Sequence, residues 1–365
     1  MASSPPSTIG DVDRIIDLYY YESVPAAHPS LKAGGAGSYC YYGPPECVRL
    51  AGTELEGWVT GLMEHVAAKQ RSGEDFRIQY DGRYWRACRD VSDAGTQVSV
   101  RRLPDDCPHL DGLSFEAPVV RDILMGEWLN DGGLILFSGL TGQGKTTTAA
   151  ATVRSRLEAM GGRAVCVADV NEIAALEGVW DKGSCRQLNV DYQTDDPARR
   201  GFIGAIRRAY RSMPATRPGL LLVGEVRDAE TASEVLKASS NGMLCITTIH
   251  AFDPISALLR LASLAEQQMG DTANLALSQA LRVVVHQTLT LAPDVAGWSR
   301  GHFSQALLVS DGPQHALANL IRKSAYPHMA AIADTQRIRI EQASRRATPV
   351  DHLMRMLGSG GDGMG

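Results

Sequence analysis

Gly139-Leu-Thr-Gly-Gln-Gly-Lys-Thr146 decides how this chain is read, because it satisfies the pattern G-x-x-x-x-G-K-[ST] in the context that pattern requires. Upstream, Gly133-Leu-Ile-Leu-Phe-Ser138 predicts a short buried strand; downstream, Thr146-Thr-Thr-Ala-Ala-Ala-Thr-Val153 predicts the start of a helix. The residue types suit an anion. Glycines at 139, 142 and 144 permit a turn tight enough to aim successive N–H groups inward, and the following helix adds its positive end. Thr141, Gln143 and Thr147 complete the loop, Lys145 is placed to reach β- and γ-phosphates, and the Thr146 hydroxyl is a candidate ligand of Mg²⁺. The chain has 36 Lys and Arg but only six lysines, so keeping Lys at 145 suits a site that needs a compact point charge. The alternative, a Gly-rich turn with a chance lysine, does not account for both flanking elements.

Working outward, 365 residues predict two domains and a tail. An apolar fraction of 44% with 21% charged residues is that of an ordinary globular protein. No apolar run is long enough to span a bilayer and the N-terminus lacks the pattern of a leader, so a cytoplasmic location is expected. The seven cysteines are odd in number and contain no C-x-x-C pair, which predicts reduced thiols rather than a disulfide framework or zinc site. A net charge of −5 argues against nucleic acid as the main partner, although Arg200, Arg207 and Arg211 fall on one helical stripe.

The first ten residues read as loose, Asp11 to Tyr21 as a helix, and Ala26 to Pro45 as loop. A helix from Leu55 to Arg71 and strands at Phe76–Tyr80, Arg83–Cys88 and Thr96–Arg101 predict a small α+β domain. Pro104 to Pro108 marks a linker, and Val119 to Leu129 reads as a helix leading into the phosphate loop. Strands at Arg163–Ala168, Leu220–Gly224 and Leu244–Thr248 then alternate with helices at Gly201–Ser212, Ala229–Ser239, Ser256–Glu266 and Thr272–Leu289. This predicts an α/β fold with a mostly parallel sheet covered on both faces. A short strand at Gln305–Val309, further helices and a Gly-rich flexible tail follow.

Three downstream strands end in chemically useful groups. Leu220-Leu-Leu-Val-Gly-Glu225 ends in a carboxylate where parallel sheets place their ligand crevice, and Glu225 is the candidate for holding metal or its water. Ala164-Val-Cys-Val-Ala168 leads to Asp169-Val-Asn-Glu172; Asp169 is a second candidate metal ligand and Glu172 the candidate for polarising water, although the pair also has the spacing of a capping box. Met243 to His250 ends in a histidine, which taken alone is more often structural.

Together these motifs resemble those of the secretion-motor ATPase family of type II and type IV secretion and type IV pili. Gly139 to Thr147 is similar to its Walker A, Asp169 to Glu172 to its Asp box, Leu222 to Asp228 to its Walker B and Gly242 to His250 to its His box. The 25-residue separation of Glu225 and His250 and the ending Gly-Glu-Val-Arg-Asp resemble the pilus-retraction and Dot/Icm or conjugative branch. Further similarity lies in Leu277 to Leu289 and Ala316 to Arg322. Three positions depart: Ala168 and Val170 stand where the Asp box usually has Glu and Pro, and Gly219 stands where relatives carry Asp before the Walker B strand.

The resemblance implies a PAS-like N-terminal domain and linker over 1–112, a RecA-like P-loop ATPase domain over 113–289, a C-terminal helical subdomain over 290–357 and a flexible tail over 358–365. It implies a homohexameric motor that hydrolyses ATP with Mg²⁺, docked on inner-membrane platform or secretion-complex proteins from the cytoplasmic side. It also implies catalytic roles for Lys145, Glu172, Glu225 and His250, with phosphate contacts from Arg86, Arg101, Arg207 and Arg211. Two other readings are a low-turnover nucleotide-binding subunit of such a machine, suggested by the altered Asp box, and a RecA-like nucleic-acid motor, suggested by the arginine stripe.

Overall fold

The computed structural model describes residues 12, 15–23, 34–41, 47–50, 53–69, 75–93, 95–214, 219–290 and 302–358. The expected loose N-terminus and most of the expected Gly-rich tail lie outside these residues. The chain divides into two compact units, one of residues 1–106 with 172–174, the other of 107–171 with 175–365.

In the first unit, β1 (Asp17–Ser23), β2 (Gly34–Tyr41), β3 (Cys47–Arg49), β4 (Phe76–Tyr80), β5 (Arg83–Ser92) and β6 (Gly95–Arg102) form one antiparallel sheet. Its order is β3-β2-β1-β6-β5-β4, and α1 (Leu55–Lys69) crosses between β3 and β4 in sequence. Val59, Leu62 and Val66 of α1 share a core with Ile78, Trp85, Ala87, Val98 and Val100, the inward alternation expected of a half-buried sheet.

Two expectations here are corrected. The segment expected as a helix over Asp11–Tyr21 contains strand β1, because Leu18-Tyr-Tyr-Tyr21 pairs with β6 on one side and β2 on the other. The expected loop over Ala26–Pro45 contains β2. Its Gly- and Ser-rich composition conceals a strand that pairs with β1 on one side and β3 on the other and whose Cys40 is buried in the core.

The second unit opens with α2 (Val119–Met125), then β7 (Gly133–Ser138), α3 (Lys145–Met160), β8 (Gly162–Ala168), β9 (Gly178–Trp180), β10 (Gly183–Asn189) and α4 (Gly201–Arg211). It continues through β11 (Leu220–Val223), α5 (Ala229–Ser240), β12 (Leu244–Ile249), α6 (Pro254–Met269), α7 (Thr272–Ala280) and β13 (Leu281–Thr290). β14 (His302–Val309), α8 (Ala316–Arg322), α9 (Met329–Arg346) and α10 (Val350–Gly358) complete it. The eight strands run in the order β14-β13-β7-β12-β11-β8-β10-β9. β13, β7, β12, β11, β8 and β10 are mutually parallel, and β14 and β9 close the two edges antiparallel. Every residue of β7, β11 and β12 is buried, which is why these strands read as predominantly apolar runs, broken only by Ser138, Thr247 and Thr248.

The expected helix over Thr272–Leu289 breaks at Ala280. Val283-Val-Val285 is β-branched, and β13 supplies the parallel neighbour on one side of β7. The helix expected over Val119–Leu129 stops at Met125, where Gly126 turns extended before a single 3₁₀ segment, Glu127–Asp131. Buried Arg156 donates to the carbonyls of Leu124 and Gly126 and fixes this break; its pKa is pushed down to about 10 by burial. β9 and β10 have no counterpart in the sequence reading, because Gly183-Ser-Cys-Arg-Gln-Leu-Asn189 lacks both a clean alternation and an apolar run.

Candidate active site

The four strands that precede the motifs are consecutive in the sheet, β7-β12-β11-β8. Ser138 is in register with Ile249, and Val223 with both Thr247 and Val167. The phosphate loop, His250, Glu225 and Asp169 therefore leave the sheet along one carboxyl-terminal edge, where a parallel sheet presents its ligand crevice.

The loop is built by its glycines and held by β13. Gly139 has a φ of +147°, and a Cβ added there would lie 2.5 Å from the Gln287 carbonyl oxygen. Gly142 (+78°) and Gly144 (+74°) turn left-handed, and Gly144 caps α3 with no side-chain hydrogen bond. Gln287 is 1% exposed; its Nε2 donates to the Gln143 carbonyl at 3.1 Å and to Thr148 Oγ1 at 3.2 Å, while the Leu289 N–H donates to Gln143 Oε1. Thr146 and Thr147 sit half-buried in the first turn, and Thr141 is exposed.

Lys145 is 6% exposed, and its Nζ donates to the carbonyls of Gly139 (2.9 Å) and Leu140 (2.7 Å) and to His250 Nδ1 (3.2 Å). Burial lowers its pKa, and the charge of Glu225 opposes that shift. His250 Nε2 lies 3.2 Å from Glu225 Oε1. With Nε2 donating to the carboxylate, Nδ1 is left as the acceptor that faces the lysine. Glu225 Oε2 receives Arg227 Nη2 at 2.6 Å, Arg227 Nη1 stands 3.8 Å from Asp169 Oδ2, and Tyr192 donates its hydroxyl to Asp169 Oδ1 at 2.8 Å. The Glu225 hydrogen bond raises the Arg227 pKa, which burial partly opposes. Tyr192 is raised by burial and by its bond to Asp169, so it remains a protonated donor.

Lys145, His250 and Glu225 thus join in one bonded series, which Arg227 extends toward Asp169 at 3.8 Å. Glu172 groups with the first unit and pairs there with Arg86 Nη1 at 2.8 Å, and Arg86 also grips Asp75. Arg101 pairs with Asp17 at 2.7 Å, and Arg207 and Arg211 lie on the exposed face of α4. Arg200 immediately precedes that helix, and its Nε donates to the Tyr192 carbonyl at 2.9 Å. Arg227, Tyr192 and Gln287 were not singled out from the sequence. Arg227 lay within a motif read for its carboxylate, Gln287 within a segment read as helix, and Tyr192 carried no signal at all.

The donor set fits a phosphorylated ligand: a buried ammonium whose partners are neutral, beside a helix N-terminus without a side-chain cap. Among the described residues no three or more His, Cys, Asp or Glu side chains form a metal cage by themselves. Mg²⁺ would fit here only as an ion completed by phosphate oxygens and water beside the Thr146 hydroxyl and the Glu225 and Asp169 carboxylates.

A family model described as type II/IV secretion system protein matches residues 91–344. The chain belongs to that family. YggR of Escherichia coli strain K12 is 28% identical over 245 residues, covering 66% of this chain and 67% of YggR. The type IV pilus ATPase PilU of Pseudomonas aeruginosa is 27% identical over 235 residues, covering 62% of this chain and 56% of PilU, so that match spans little more than half of the relative. In fold, the chain is similar to the pilus retraction motor PilT with bound ADP, with a TM-score of 0.63 and 22% identity over 90% of this chain and 89% of that one. The family match covers most of the second unit, and the likeness in fold extends over 90% of the chain. None of the described helices is long and apolar enough to cross a membrane.

Proposed function

We propose that the protein is an ATP-hydrolysing motor, working as a ring of six copies, that powers a secretion, conjugation or type IV pilus machine from the cytoplasmic side of the inner membrane. The observation that carries this reading is the bonded series Lys145–His250–Glu225 at the edge where the phosphate loop leaves the sheet. In this reading Gly139, Thr141, Gly142, Gln143, Gly144 and Thr147 cradle the phosphates, and Lys145 exchanges its two carbonyl partners for phosphate oxygens. Thr146, Glu225 and Asp169 hold Mg²⁺ directly or through water. Bound Mg·ATP supplies the phosphoryl group and the neutralising charge.

Glu172 orients and deprotonates the attacking water. His250, whose Nε2 is fixed by Glu225, reads the γ-phosphate through the nitrogen that faces Lys145. Arg86, Arg101, Arg207 and Arg211 are the arginines brought to phosphate during the cycle, and Arg86 releases Glu172 to do so. Partners are further copies of the chain and proteins of the inner-membrane complex.

Steady-state phosphate release tests the reading. Wild type should turn over ATP with Mg²⁺, Lys145→Ala should abolish turnover, and Glu172→Gln should bind ATP while losing on the order of 10²-fold or more in rate. A second reading, a low-turnover nucleotide-binding subunit, is favoured by one observation: the Glu172 carboxylate is engaged by Arg86. It prevails if wild type binds ATP yet releases no phosphate above the Lys145→Ala background. Native mass measurement tests the ring.

A further inference from the structure

Arg227 holds two carboxylates that belong to different strands. Its Nη2 is 2.6 Å from Glu225 Oε2, after β11, and its Nη1 is 3.8 Å from Asp169 Oδ2, after β8. The carboxylates have little water to rely on, Glu225 being 19% and Asp169 33% exposed, whereas the Arg227 side chain is 57% exposed. The acids thus need a cation more than the arginine needs the acids. Lys145, the other cation in the series, spends its donors on the carbonyls of Gly139 and Leu140 and on His250.

We propose that Arg227 is a stand-in cation: without nucleotide it neutralises Glu225 and Asp169 in place of Mg²⁺, and it gives way when metal and nucleotide bind. A solvent-exposed guanidinium held partly at 3.8 Å is cheap to release, because such pairs contribute little in water. Its presence prevents two uncompensated carboxylates from repelling an incoming polyphosphate, so the arginine makes nucleotide capture less dependent on metal. Tyr192 holds Asp169 Oδ1 and His250 holds Glu225 Oε1, so that release of Arg227 frees Oδ2 of the one acid and Oε2 of the other.

This inference rests on the proposed reading of the cluster as the Mg·nucleotide site. The test is equilibrium binding of a fluorescent, non-hydrolysable ATP analogue to the full chain, once in excess Mg²⁺ and once in EDTA, read as the dissociation constant in EDTA divided by that in Mg²⁺. Arg227→Gln should raise that ratio on the order of tenfold, the size of one or two partly exposed ion pairs. Arg227→Lys, which keeps the charge, should stay within about twofold of wild type by the same reasoning, and Arg227→Gln combined with Glu225→Gln should bring the ratio back down. If Arg227→Gln weakens binding equally with and without Mg²⁺, the ratio does not move, Arg227 is only structural and the stand-in role is refuted. If the ratio rises equally in the double variant, the cation does not use Glu225 and the proposal also falls. Lys145→Ala separates the two levels. Loss of binding in that variant upholds the site whatever Arg227 does, and analogue binding that ignores Lys145 removes the site and the proposal together.

Discussion

Two glycines of the phosphate loop, only three residues apart, should respond very differently to the same methyl group. At Gly142 the backbone is left-handed with φ +78° and open space surrounds the missing Cβ. Gly142→Ala therefore carries only the left-handed penalty, about 1 kcal/mol. At Gly139 φ is +147°, and the new Cβ would lie 2.5 Å from the backbone oxygen of Gln287, which cannot rotate away as a side chain could. Backbone strain of roughly 1–3 kcal/mol adds to an overpacking cost of roughly 1–3 kcal/mol, so about 4 kcal/mol is expected. For a unit of this size these correspond to falls in melting temperature of about 3 °C for Gly142→Ala and roughly 10 °C for Gly139→Ala.

The relief available to Gly139→Ala is separation of the loop from β13, which also loosens the Gln287 bonds to Gln143 and Thr148. Fluorescent nucleotide binding should therefore fall more for Gly139→Ala than for Gly142→Ala. Differential scanning fluorimetry and equilibrium titration read the two effects. Equal melting temperatures for the two variants would refute the claim that β13 seats the loop.

Other substitutions probe neighbouring contacts. Thr248→Val removes the hydroxyl that donates to the Gly224 carbonyl at 2.7 Å; unfolding free energy should drop by about 1–2 kcal/mol, and Thr248→Ser should recover most of it in a urea titration. Tyr192→Phe deletes the phenol bonded to Asp169 and should cost about 1 kcal/mol of stability, again read by urea unfolding. His286, 3.1 Å from Ser138 Oγ, has its pKa lowered by burial and by Lys145 against the opposing pull of Asp253. A base whose folded pKa lies below its unfolded value of about 6.5 gives stability that is present above that value and lost as pH falls through the folded one. His286→Gln should consequently flatten the decline of melting temperature on acidification below about pH 6.5, and an unchanged slope would show that His286 is not the group responsible.

The sequence made the central sheet legible because its strands are buried on both faces: Leu220 to Val223 is apolar throughout, and Leu244 to Ile249 is broken only by Thr247 and Thr248. The phosphate loop was legible because its glycines answer to backbone angles rather than to packing. What could not be read were strands whose local composition or period points elsewhere. Strand β2 is Gly- and Ser-rich, and β13 follows α7 with no turn residue between them, so a helical period ran on past Ala280. At the site, Glu225 and His250 announced themselves as polar ends of apolar strands, but their partners did not. Arg227 bridges to Asp169 across 58 positions of chain, and Tyr192 reaches the same carboxylate from an irregular segment after β10. Such partnerships depend on which strands become neighbours, and no local pattern encodes that.

The threonines of β12 give the edge a mechanical character. Thr247 and Thr248 donate to the carbonyls of Val223 and Gly224, cross-linking β12 to the end of β11 beyond the ladder itself. The residues that follow, Glu225 and His250, are therefore mounted on a single stiff bracket and travel as one piece. Sliding β12 along β11 would have to break both threonine bonds before it could part the histidine from the acid. On one side of this bracket Gln287 of β13 holds the phosphate loop, and on the other the Asp253 capping box fixes the start of α6.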